Sequence, residues 1–317
     1  MKAAVRHKYG TPEVLTIKDL EIPTPKEHEV LIKIYATTVN RTDCHVLRGK
    51  PFMMRAFTGL FKPRLASTGS DFAGQVVAVG RNVQSLEEGD KVMGFSGVFG
   101  CGSHTQYMTF PETKGIITMP DKLSYEEAAA CLEGAVYAAS GINTLRPKAG
   151  QKALVNGATG AIGSAQVQIL KSYGVDVTAV CSSANIAIVQ SLGADRVIDY
   201  ATEDFTKGND QYDIIFDAVG KSTFSKCKQV LKKNGIYSSS DPDMFWAIIT
   251  SLHGSKKAKF SSLPNIKAEL NFIKTLIEKG NFKPLIDKKY PLEEIANAYE
   301  YVATGQKLGN VILNLTS

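Results

Sequence analysis

The chain has 317 residues and a formal net charge of +6, with 44% hydrophobic and 21% charged residues. That length exceeds one ordinary core and predicts two domains, and the composition excludes a disordered or fibrous chain. Five scattered cysteines without a C-x-x-C pair exclude a disulfide framework or a thiolate zinc knuckle, and they point to a reducing, cytoplasmic setting. Met1 to Gly10 has basic residues but no apolar core, so it does not read as a signal peptide. The best apolar window, Met244 to Leu252, is too short to span a bilayer. Lys256, Lys257 and Lys259 form the one dense basic patch, which reads as a solvated strand edge rather than a nucleic-acid or lipid site. Neither a nucleic acid nor a membrane is an expected partner.

In chain order, the first third is β-rich. Met1 to Val5 and Leu15 to Leu20 are short alternating runs, joined through a connector stiffened by Pro23 and Pro25 to a period-two strand at Val30 to Thr38. Leu31 stands apart from that alternation. Phe72 to Val79 is the next strand, and Asp90 to Met93 begins another after the turn Glu88-Gly89. Short strands with turn signals predict a β barrel or sandwich. Near Pro120 the texture changes. Ser124 with Glu127 three residues on forms a capping box, the start signal of a helix. Strands then alternate with helices: strands at 152–156, 175–180, 195–199, 212–217, 235–239 and 256–260, helices at 161–173, 185–192 and 221–231. This pattern predicts a doubly wound parallel sheet. Asn265 to Lys279 is a further helix, and the tail gives a helix near 292–303 and a strand at 310–315.

The run Lys152 to Gly163 carries the most specific chemistry. Ala153, Leu154 and Val155 suit a buried strand. Ala158, Gly160 and Gly163 fall at the three glycine positions of a dinucleotide turn, with Thr159, Ala161 and Ile162 completing it before a helix from Ser164 to Tyr173. Gly160 lets the backbone approach a pyrophosphate. Gly163 lets the helix pack on the strand, so that its free N–H groups face the phosphate charge. With Ala158 first, the turn there must keep negative φ.

Several motifs in one order resemble a medium-chain dehydrogenase/reductase of the zinc-free quinone oxidoreductase branch. They are Tyr9-Gly-Thr-Pro-Glu-Val-Leu15, Glu29 to Asn40 with Asp43, and Gly89-Asp-Lys-Val92. The nucleotide turn follows, then Leu192 to Asp195, Ile198 to Tyr200, Phe216 to Gly220, Tyr290 to Ile295 and Gly305 to Leu313. The resemblance implies an α/β fold: a β-rich GroES-like catalytic domain, residues 1–119 and 281–317, and a doubly wound Rossmann nucleotide-binding domain, residues 120–280. It also implies a homodimer, joined at the edge strand near Lys256–Phe260, although edge lysines oppose such pairing.

Zinc members resemble this chain around Asn40 but carry a cysteine there, and a Gly-His-Glu run where Gly69-Ser70-Asp71 stands. An amide and a hydroxyl do not replace a thiolate and an imidazole, so no metal is expected. Cys44 and His45 are adjacent and lack matching partners. For the nucleotide, NADPH is the expected cofactor, with NADH weaker. The position after the second strand is Cys181 rather than an acid, and Ser182, Ser183 and Tyr200 can donate hydrogen bonds to a 2′-phosphate. Ala184 supplies no cation, and the serines also suit helix capping. Val219 and Asn310, in two of the matching motifs, join the cofactor-binding set on the resemblance. Asn40, Asp43 and Tyr137 are the candidate catalytic residues; a local turn hydrogen bond suits the first two as well, and helix packing the third. Met244, Phe245 and Trp246 suit either an apolar pocket roof or core packing.

The function implied is an NADPH-dependent, metal-independent oxidoreductase that passes hydride to a small-molecule quinone or activated enone. A non-catalytic NADPH-binding protein on the same fold is the other class. An enoyl-thioester reductase is weaker, because Gly49, Lys50 and Pro51 stand where that branch carries a tyrosine.

Overall fold

Two ribbon strands, β1 (Lys2–Val5) and β2 (Thr16–Asp19), pair antiparallel ahead of the eleven-residue β3 (Glu29–Val39), the spine of the N-terminal region. The computed structural model describes residues 1–52, 54–97, 102–239, 250, 255–260 and 265–315. These fall into two units. Unit 1 comprises Met1–Glu133, Ile266–Lys274 and Pro284–Ser317; unit 2 comprises Gly134–Asn265 and Thr275–Lys283.

In unit 1, β3 is followed by helix α1 (Arg41–Arg48), the short α2 (Met54–Thr58), β4 (Asp71–Val79), β5 (Lys91–Phe95), β6 (Tyr107–Pro111) and β7 (Ile116–Thr118). Helix α3 (Tyr125–Ala130) starts at the Ser124–Glu127 capping box that the sequence predicts. The C-terminal segment adds β14 (Ile286–Pro291) and β15 (Asn310–Asn314), giving the sheet order β14-β15-β3-β4-β5-β7 with β6 also on β3. Ile32, Ile34, Phe72, Val76, Phe110 and Val311 bury the inner face, and Phe72 meets Phe110 edge-on at 5.0 Å. Each such large side chain contributes about 1.5–3 kcal/mol through loss of water contact. Leu31 breaks the alternation for a visible reason: the β3–β4 register slips between Leu31 and Ile32.

Unit 2 is a six-stranded parallel sheet, built from β8 (Lys152–Asn156), β9 (Asp176–Cys181), β10 (Arg196–Asp199), β11 (Tyr212–Asp217), β12 (Leu231–Ser239) and β13 (Lys257–Phe260). Its order, β10-β9-β8-β11-β12-β13, is the doubly wound order, which reverses between β8 and β11. Its helices are α4 (Glu133–Leu145, continuing from unit 1), α5 (Ala161–Ser172), α6 (Ile186–Ser191) and α7 (Phe224–Cys227). Helix α8 (Ile266–Glu278) divides between the units, and α9 (Ile295–Ala303) belongs to unit 1.

The structure departs from the sequence expectation in three places. The segment after Val39, to which the sequence assigns no element, is helix α1, ended by Gly49 at φ 60°. Strands β6, β7 and β14 are additional; β14 carries Asp287, Lys288 and Lys289 and lies at the sheet edge, where charge tolerates exposure. The helix expected at 221–231 contains only Phe224–Cys227 plus a 3-10 turn to Val230. Thr223 caps it late, and Leu231 already pairs with Tyr212 in the sheet. The Met244–Phe245–Trp246 run and Cys101 lie outside the described residues. No described helix is long and apolar enough to cross a membrane.

Candidate functional site

In unit 2 the site builds from the reversal of strand order. The chain leaves β8 at Asn156 and turns through Gly157, which takes φ 81°. A Cβ on Gly157 would lie 2.4 Å from the Val219 side chain, in the loop after β11. The two loops that flank the reversal are therefore packed against each other. Asp217 orders the second loop: Oδ1 accepts from Val219 N (3.3 Å), Gly220 N (3.1 Å) and the Asn156 amide (3.0 Å), and Oδ2 accepts from Ser222 N (2.7 Å) and the Tyr237 hydroxyl (3.1 Å). Crevices at the carboxyl ends of such strands are where open α/β sheets bind ligands.

The turn itself corrects one detail of the sequence reading. The positive-φ glycine is Gly157, one residue before Ala158, so the working spacing is Gly157-x-x-Gly160-x-x-Gly163. Ala158 is wholly buried. Gly163 sits where a Cβ would come within 2.1 Å of the Gly157 carbonyl oxygen, so only glycine lets α5 approach β8 this closely. Gly160 differs. It caps α5 with φ −73°, and a Cβ there would meet only the Gly157 oxygen at 3.6 Å. The space above Gly160 is open, as a phosphate approaching the first N–H groups of Ala161, Ile162 and Gly163 requires. Thr159 completes this loop.

Beyond β9, the chain passes through buried Cys181 to Ser182, partly exposed, and to Ser183 and Ala184, both exposed. The Asn185 amide donates to the Ser182 hydroxyl at 3.0 Å. Tyr200 is 65% exposed beyond β10, and its N–H donates to Cys181 O, which holds the two strand ends side by side. No carboxylate follows β9 within this loop.

Unit 1 holds a second constellation. Asn40, Asp43, Ser70, Asp71 and Glu133 are all buried. Asp71 Oδ2 accepts from the Thr38 hydroxyl (2.5 Å) and from the Asn40 amide (2.9 Å), while Oδ1 accepts from Glu133 N (3.2 Å). The Glu133 carboxyl accepts from the Thr42 hydroxyl (2.5 Å) on one oxygen and the Ser70 hydroxyl (3.1 Å) on the other. Asp43 accepts from Asn40 N at 2.8 Å, which closes the start of α1. Burial pushes all three carboxyls above their ordinary range, and the negative charge of Glu133 pushes Asp43 and Asp71 further. Hydrogen bonds from Thr42 and Ser70 oppose the rise at Glu133. Lys307 is affected in reverse: loss of water lowers it to about 8, against the pull of Glu133. His104 is buried beside the network and lowered to about 4 by the same loss of water. It faces the Thr38 carbonyl through Nε2 (2.9 Å), so the neutral ring carries its proton there and accepts from Thr68 through Nδ1 (2.8 Å).

The structure thus brings Asn40 and Asp43 into one network. Tyr137 lies on α4 in unit 2, partly exposed. Asn310 belongs to unit 1, where its side-chain amide donates to Leu285 O at 3.1 Å. Sequence reasoning missed Gly157, whose positive φ is set by the packing of its turn against Val219. It also missed Thr42, Ser70, Asp71 and Glu133 as one cluster, for which no local signal exists.

Two family descriptions match the chain: an alcohol dehydrogenase GroES-like domain over residues 26–121, and a zinc-binding dehydrogenase over 192–313. The chain is 32% identical to a tomato (Solanum lycopersicum) 2-methylene-furan-3-one reductase over 99% of its own length and 79% of that protein. It is 31% identical to an Arabidopsis thaliana chloroplastic NADPH-dependent alkenal/one oxidoreductase, over 99% of this chain and 79% of the relative. The solved quinone oxidoreductase of Coxiella burnetii superposes with a TM-score of 0.87 at 26% identity, covering 100% of this chain and 99% of that one. The zinc named in one family description does not fit these residues. The Asn40 amide donates to Thr38 and Asp71, the Ser70 hydroxyl donates to Glu133, and no metal-holding group of three or more His, Cys, Asp or Glu occurs among the described residues.

Two expected outcomes follow from these geometries. Gly163→Ala should lose about 1–3 kcal/mol of stability in urea unfolding through overpacking, whereas Gly160→Val should unfold like the parent and fail to bind a nicotinamide nucleotide in a fluorescence titration. Equal stability of the two variants would contradict the packing assigned to Gly163. For Glu133, a raised pKa means that the folded chain binds more protons than the unfolded one. Its contribution to stability is full below about 4.5 and is lost as pH rises through the folded value. Glu133→Gln should therefore gain stability relative to the parent as pH rises above that point, measured by thermal unfolding at fixed salt; a difference that is flat with pH would refute the raised carboxyl.

Proposed function

Because the chain belongs to the quinone oxidoreductase branch of the medium-chain dehydrogenase/reductase family, we propose that it passes hydride from NADPH to a quinone or activated enone without a metal ion. The observation that carries this reading is the use of Asn40 and Ser70, at the positions of zinc ligands in the metal-dependent relatives, as hydrogen-bond donors to buried carboxyls. Without a Lewis acid, an alcohol keeps its high pKa and gives up hydride poorly, while quinones and enones accept hydride without prior polarisation. NADPH supplies the hydride when bound; the chain supplies binding, orientation and a proton.

The residues that would hold NADPH fit it. The Gly157–Gly163 turn leaves room above Gly160 for the pyrophosphate, and the N-terminus of α5 complements its charge. Ser182, Ser183 and Tyr200 offer donors to a 2′-phosphate, and no acid stands among residues 182–185 of the loop after β9. The loop ordered by Asp217, with Val219, would support the ribose and nicotinamide. Asn40, Asp43 and Tyr137 are our candidates for acceptor contact, on the family resemblance. Glu133 is the candidate proton reservoir, because burial keeps its carboxyl protonated to higher pH and the hydroxyl of partly exposed Thr42 donates to it at 2.5 Å.

We also place the chain in a reducing compartment, since Cys44, Cys131, Cys181 and Cys227 are free and buried. Among the described residues, strand β13 ends the unit 2 sheet, and that edge supports a homodimer, although Lys257 and Lys259 stand on it.

An acceptor panel followed at the NADPH absorbance band tests the function. Quinones or small enones should turn over, and ethanol with NADP should not; brisk alcohol oxidation with inert quinones and enones would overturn the reading. Binding of NADPH without any turnover would favour a non-catalytic role. NADPH should also bind more tightly than NADH, and Ala184→Lys, at an exposed position, should widen the gap by about 1 kcal/mol or more. Tighter NADH binding in the parent would refute the role of the Ser182–Ser183 loop.

A further inference from the structure

Arginine is rarely buried without a partner, because moving a guanidinium out of water costs several kcal/mol unless charge or hydrogen bonds replace the lost hydration. Arg6, at the end of β1, is 3% exposed. Nη1 donates to Val46 O at 2.5 Å, and the Tyr9 ring lies 5.3 Å away. Its Nε has no hydrogen-bond partner, and no carboxylate pairs with it among the described residues. Arg6 also lines a cavity of about 250 Å³ within unit 1, together with Arg64, Asp43, Thr68, Phe57 and Leu65.

These observations belong together. The cavity volume lies just under the ~300 Å³ at which small-molecule pockets begin, so its occupant is small or only partly enclosed. At its polar end is a cation whose Nε–H is unused. Asp43 lines the same cavity; loss of water, then the nearby Glu133, holds its carboxyl well above the ordinary range, and the charge of Arg6 opposes that rise. Arg64 is exposed and adds a second guanidinium. Phe57 and Leu65 are 57% and 49% exposed, an apolar rim beside the charged end.

We propose that this cavity is a binding site for a monocarboxylate with an apolar tail, its carboxylate held by Arg6 and its tail resting on Phe57 and Leu65. The carboxylate meets the Arg6 guanidinium from the cavity side, and Arg64 adds a second positive charge at the rim. Phosphate has the charge but no apolar body, and it leaves Phe57 and Leu65 unused. This site stands whether or not the chain reduces quinones, because none of the groups that bind the carboxylate is a nucleotide-turn residue.

Calorimetric titration of the full chain tests it, with sodium octanoate, sodium acetate and inorganic phosphate as separate probes at constant ionic strength. Octanoate should bind at one site at least tenfold more tightly than acetate, and phosphate should not bind. Arg6→Gln, which keeps a donor for the Val46 carbonyl, should weaken octanoate at least tenfold, and Arg64→Gln about threefold. NADPH titration should be unchanged in both variants. If Arg6→Gln fails to fold by circular dichroism, Arg64→Gln together with Leu65→Ser carries the test, and the pair should weaken octanoate at least tenfold. Absence of octanoate binding to the parent, equal affinity for octanoate and acetate, preferential phosphate binding, or octanoate affinity unchanged in the folded variants would each overturn the site.

Discussion

The approach of α5 to β8 is the constraint on which the nucleotide half of this protein depends. A Cβ on Gly163 would stand 2.1 Å from the Gly157 carbonyl, so the helix reaches its place only because that atom is missing. The consequence extends beyond packing. Close approach points the first turn of α5, with its unpaired N–H groups, at the crevice where strand order reverses. The opposite wall of that crevice is fixed by one carboxylate. Asp217 gathers Asn156, Val219, Gly220, Ser222 and Tyr237, which locks the loop after β11 against the turn after β8.

In unit 1 the governing effect is loss of water. Three carboxyls, an imidazole and a lysine ammonium occupy a small region, and each is displaced from its ordinary pKa in the direction that favours neutrality. Hydrogen bonds from Thr38, Asn40, Thr42 and Ser70 make this burial tolerable. The same donors consume the positions that a zinc site would need. The donors that occupy Asn40 and Ser70 and the raised Glu133 carboxyl are thus two aspects of one arrangement. Arg6 is the exception, a buried guanidinium whose Nε has no hydrogen-bond partner and which forms no salt bridge among the described residues, and that is why its cavity carries an inference of its own.

Much of the fold was legible because it rests on local patterns. The alternation in β3, the capping box at Ser124 and the buried run before the glycine turn each follow from residues within a few positions of one another. Helix α1 escaped because Asn40 with Asp43 resembles an isolated turn as closely as a helix start. Strand β14 escaped because an edge strand tolerates Asp287, Lys288 and Lys289 and so lacks the apolar alternation on which strand assignment depends.

The sequence by itself determined the class of the protein: a β-rich region, a doubly wound sheet, a glycine turn between strand and helix, and an amide and a hydroxyl where zinc members carry metal ligands. Those features need only residue identity and spacing. The tertiary structure alone decided that Gly157, not Ala158, makes the turn, since φ is set by how β8 and the β11 loop pack. It alone joined Thr42 and Ser70 to Glu133, residues separated by 91 and 63 positions, and showed Arg6 to be a buried guanidinium whose Nε lacks a hydrogen-bond partner. Burial and hydrogen-bond satisfaction are properties of neighbours in space, and a linear pattern does not specify which distant side chains those neighbours will be.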